Sequence, residues 1–144
     1  MEPNQTDETI VSGVYDGYID TQKEIFEIEI KKTRNRLFLI AAVILGFNLL
    51  AVMVAGADIG AYIVYIALVP VIVAGLAFLA IKEPLLAMII VAIIILAEWI
   101  YIAVQTGGRG ALSGWLGKAI LIYLVLTGFQ NARTAQKIKK ELKA

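Results

Sequence analysis

Polar positions divide the chain into four long apolar runs and two charged ends. Leu37 to Ala55, Gly60 to Ile81, Pro84 to Val104 and Ala111 to Phe129 are each long enough to cross a hydrocarbon core as a helix. Only "GADI", "KE" and "QTGGRG" separate them. Links this short leave consecutive helices antiparallel and side by side, and lipid leaves no open backbone group satisfied, so each run must be helical. The expectation is an all-α polytopic membrane protein: a bundle of four antiparallel transmembrane helices over residues 37–130.

The two ends contrast. Residues 1–20 are polar and acidic, with the composition of a flexible segment. From "DTQKE" the pattern changes: Thr21 and Glu24 have capping-box spacing, and nothing up to Gly46 breaks a helix. Residues 21–36 are therefore expected as a cytoplasmic helical extension of the first span, although the alternation "IFEIEIK" would also suit a short strand. Residues 131–144 form a basic tail with a thin stripe of Ala135, Ile138 and Leu142. The first 30 residues carry a balance of −7 and the tail +4. Ile25, Phe26 and Ile28 need cover, so the extension is expected to dock on the tail beside Arg133, Lys137 and Lys140, within a chain or between chains. The headgroups or a partner are the other possible covers.

Composition agrees and excludes much. Hydrophobic residues make up 60% of the 144 and charged ones 17%, too little polar surface for a soluble domain. With no Cys and no His, disulfide exchange, Cys/His zinc sites and imidazole acid–base chemistry are ruled out. No catalytic residue, metal or cofactor is expected. A net charge of +1 gives no reason to expect nucleic acid as a partner. "ALSG" around Ser113 has no base to activate it, because Lys118 lies about 140° round the helix.

The distribution of basic residues sets the sides. Eleven of the thirteen lie before the first span, in "KE" or after the last span. Positive charge resists translocation, so both termini are expected in the cytoplasm of a cell that holds the protein in its inner or plasma membrane. "GADI" and "QTGGRG" would then be external.

Two charged residues and one amide lie inside the spans. Counted from the external ends, Glu98 and Lys118 are each ~12 Å deep and Asn48 ~13 Å, so Asn48, Glu98 and Lys118 are expected to form one polar layer. The layer reads either as an ion pair that fixes helix register or as a proton or ion site. Gly46, Gly110, Gly114 and Gly117 are candidates for close helix packing, and Pro70 for a hinge. The expected function is a non-enzymatic structural or regulatory subunit that self-associates or docks another membrane protein. The alternative is a small oligomeric channel or transporter that uses the polar layer.

Overall fold

The computed structural model describes residues 5–105, 107 and 114–143, with side chains from residue 13 onward. Arg109, Gly110 and Ser113 lie outside the described residues. Four long helices account for nearly all of the rest: α1 (Gln5–Val54), α2 (Ile59–Lys82), α3 (Pro84–Gln105) and α4 (Trp115–Lys143). No strand occurs among the described residues, so "IFEIEIK" is helical.

The links stop the helices where the sequence provides stop signals. After α1, Gly56 takes φ 65°, the left-handed conformation that closes a helix end without a Cβ clash. Asp58 then caps α2, its Oδ1 accepting from the Gly60 N–H at 3.0 Å. Glu83 alone separates α2 from α3, and Pro84 opens α3 at a position where its missing N–H costs nothing.

The helices form a square. α1 packs most extensively on α2 and α4, α3 closes the square between those two, and α1 and α3 lie across the diagonal. The core comes from one stripe of each helix: Leu37, Ile40 and Ile44 of α1, Val73 and Ala77 of α2, Met88 and Val91 of α3, Leu121 and Leu124 of α4. The last turns of α4 and the α2–α3 link share the end of this square from which α1 extends. The α1–α2 and α3–α4 links share the other.

Helices α1, α2 and α3 are long and apolar enough to cross a membrane. The apolar part of α4 is shorter than the expected span, since this helix starts at Trp115. From Trp115 to Phe129 it supplies roughly 22 Å of rise and includes Lys118. Gly114 explains the late start: at φ 67° it is in a turn, not on a helical face.

The N-terminal end differs most from expectation. Helix α1 runs unbroken for 50 residues from Gln5, so helix begins well before residue 21 and Thr21 lies inside it, not at its cap. Its hydroxyl instead donates back to the Gly17 carbonyl at 2.8 Å. Local charge supports the helix through i, i+3 pairs, Lys23 with Asp20 and Lys32 with Glu29, rather than the i, i+4 pairs that the spacing offers.

Two contacts fix how α1 lies on α4. A Cβ at Gly117 would stand 2.6 Å from Phe47 Cζ, and one at Gly128 would stand 3.7 Å from Arg36 Cβ. The paired numbers add to the same total, as they must for antiparallel helices in constant register. The same rule puts Phe26 level with Ile138. Ile30, Thr33, Ala132, Ala135 and Ile138 are all buried, so the basic tail and the extension share an apolar seam. Because α4 ends at Lys143, α1 continues past it, and residues before about Thr21 have no neighbouring helix among the described residues.

Candidate functional site

Asn48, Glu98 and Lys118 make three separate sets of contacts. Asn48 Nδ2 donates to the Ile66 carbonyl at 3.2 Å. That carbonyl is four residues before Pro70, whose ring nitrogen has no hydrogen to give it. Asn48 therefore satisfies the acceptor that Pro70 frees. Pro70 is buried in an α2 that continues through it, so the hinge candidate is held by a side chain from α1.

Lys118 Nζ stands 5.9 Å from the centroid of the Trp99 ring, a cation–π contact between α4 and α3. Glu98, next in the chain, turns toward α2 and lines a groove with Tyr65, Leu68 and Val69. Among the described residues three ion pairs form, and none joins Glu98 to Lys118. The depths match but the directions do not. Successive residues of a helix point about 100° apart, which puts Glu98 and Trp99 roughly 50° to either side of the buried Met88/Val91/Ile95 stripe. One faces the α2 groove and the other faces α4.

The glycine candidates separate in the same way. Gly117 is a close approach, with three Phe47 ring atoms within 3 Å of where an alanine methyl would lie. Gly46 and Gly114 are not: a Cβ at either would meet nothing within 4 Å. Gly128, not anticipated from the sequence, packs against Met88, whose Cε would be 2.6 Å from an added Cβ. It sits eleven residues after Gly117 and so on the same face of α4, a spacing that could have revealed it.

The charged docking candidates lie on the outer side of the tail. Arg133, Lys137 and Lys140 are exposed, as are Ile25 and Ile28, while Phe26 is half-buried on the α4 side. Lys139 makes the contact instead. Its ammonium donates to the Lys82 carbonyl and to Glu83 Oε1, both at 2.5 Å, capping the last turn of α2 and pairing with the α2–α3 link. The hydrogen bond from Lys139 holds the Glu83 carboxyl below its ordinary range; partial desolvation opposes this, and the charges of Lys139 and Lys143 assist it. The sequence signal was a lone acid in a link that shares an end of the bundle with a basic tail.

Tyr62, Tyr65, Tyr101 and Trp115 are exposed around the end opposite the termini, where amphipathic rings suit headgroups. No group of three or more acidic residues placed to hold a metal ion occurs among the described residues. Compared with family models, characterised proteins and solved structures, the chain matches none of them.

Proposed function

We propose that the protein is a non-enzymatic subunit of a membrane assembly, inserted with both termini in the cytoplasm, which works by presenting the free end of α1 to another chain. The observation that carries this reading is a stripe of large apolar side chains left open on α1, beginning where it outruns α4 and continuing down its outer face beside the tail: Val14 is 69% exposed, Tyr18 57% and Ile28 45%. Ile25 is on the same face, at the 3–4 spacing of a helix that packs on another helix. Monomeric proteins seldom leave such a row uncovered. The occupant is a second copy or a different membrane protein. The channel alternative needs Asn48, Glu98 and Lys118 to line one path, whereas Asn48 is engaged with the Ile66 carbonyl, Lys118 lies over Trp99 and Glu98 turns into the outer groove.

The test is the mass of the particle isolated in mild detergent, with its chains identified. Wild type should exceed the mass of one chain with its micelle. Val14→Ser/Tyr18→Ser/Ile25→Ser should fall to a lone chain with its thermal unfolding unchanged, because none of the three touches the bundle core. A wild-type particle that is already a lone chain, or a variant with wild-type mass, would overturn the proposal.

A further inference from the structure

Toward the end opposite the termini, α2 and α3 part to leave a groove of about 320 Å³. Its walls are Leu68 and Val69 on one side and Ile94 and Ala97 on the other. Glu98 is its single charged group, and Tyr65 and Tyr101 complete the lining. Leu68 and Tyr101 are each 55% exposed, so the groove opens on the outer face of the bundle. Glu98 has no ion-pair partner among the described residues.

A carboxyl in such a place is either protonated or matched by a counter-charge, because hydrocarbon cannot solvate the anion, so an occupant that supplies positive charge is what holds it ionised. Each class of occupant can be weighed against the lining. An anion is repelled by an ionised Glu98, and a neutral molecule draws no charge–charge attraction from it. A divalent metal ion needs about six oxygen ligands, more than one carboxylate and two phenols supply. A zwitterionic lipid brings its phosphate to the carboxylate along with its cation. An organic cation with a bulky apolar body meets every feature: its charge answers Glu98, the rings of Tyr65 and Tyr101 offer cation–π faces, and its body fills the aliphatic walls.

We propose that the α2–α3 groove is a binding site for amphiphilic organic monovalent cations, with Glu98 as the counter-ion and Tyr65 and Tyr101 as flanking aromatic contacts. The site stands independently of the association role of α1, since it lies on the far half of the bundle. Lys118 does not compete for Glu98, because its contact with Trp99 is on the other flank of α3.

The probe is radiolabelled tetraphenylphosphonium, measured by equilibrium dialysis against the full-length protein in mild detergent. Tetraphenylborate, of the same shape and opposite charge, serves as the sign control. Wild type should bind the phosphonium saturably and show no saturable binding of the borate. Glu98→Gln should weaken phosphonium binding at least tenfold, and Glu98→Asp should keep it within a few-fold. Ala97→Trp, which keeps the carboxylate but plugs the groove from an exposed position, should abolish it; this variant decides the matter if Glu98→Gln fails to fold. Phosphonium binding unchanged by Glu98→Gln or by Ala97→Trp, equal saturable binding of the borate, or no saturable phosphonium binding by wild type would each overturn the proposal.

Discussion

Asn48 carries an amide into apolar surroundings, and what it does there is set by a residue on another helix. Pro70 frees the Ile66 carbonyl, and Asn48 takes it up. Bonds of this kind between membrane helices are worth about 0.6–2 kcal/mol. Asn48→Ala should therefore cost that much in reversible unfolding from mixed micelles. In a Pro70→Ala background the restored N–H of residue 70 can serve Ile66, and the same substitution should cost less than half as much. Equal costs in the two backgrounds would mean that the two residues are not coupled. The glycines give a contrast of sign. Gly46→Ala adds a methyl where nothing lies within 4 Å and should stabilise by roughly 0.5–1 kcal/mol, while Gly117→Ala drives one to 2.6 Å from Phe47 Cζ and should cost about 1–3 kcal/mol. Both follow from unfolding curves of the single variants. The depths of Asn48, Glu98 and Lys118 were legible in the sequence, because rise along a helix depends only on residue count. Their directions were not, because facing depends on how each helix is turned against its neighbours, and that is decided by packing.

At the scale of elements, the tail and the α2–α3 link form one unit through Lys139. A carboxylate whose folded pKa is lowered stabilises the fold above its ordinary value, and that stabilisation is lost as pH falls through the lowered value. For Glu83 the ordinary value is 4.5, so wild type should lose stability as pH falls below about 4.5. Lys139→Met removes the main cause of the shift and should flatten this acid limb in a pH series of thermal unfolding. A limb that persists unchanged would assign it to other carboxylates. Helix α1 shows why its own length was only half legible. The apolar run from Leu37 and the unbroken composition from Thr21 were visible, but the acidic stretch before them reads as disordered by composition alone. Its i, i+4 row of Ile10, Val14 and Tyr18 was the available helical signal.

For the whole molecule, the sides of the membrane and the register of the seam are separate questions. A reporter after Ala144 and one inserted at Gly108 should report opposite compartments, with the first cytoplasmic. A C-terminal reporter found outside would reverse the orientation inferred from basic residues and leave the packing intact. The seam can be tested without interference, since the chain has no native Cys. Cysteines at Phe26 and Ile138 should form a disulfide within one chain. The opposed balances of the two ends suggested a contact held by charge, but the seam is apolar and no ion pair among the described residues joins α1 to α4. The yield should therefore be the same in low and high salt, and a marked fall in high salt would show that charge contributes after all.

Because α1 is one continuous helix, its outer stripe and its inner seam share a phase, about 115° apart around a common axis. The direction in which Val14 and Tyr18 face is thus dictated by residues buried far along the same rod. Adding one residue after Asp20 would swing that pair by about 100° and leave the bundle untouched, whereas adding seven would return it to nearly the original bearing two turns further out. Aim and reach of the free end can in this way change separately, by the length of an insertion alone and with no alteration to any surface.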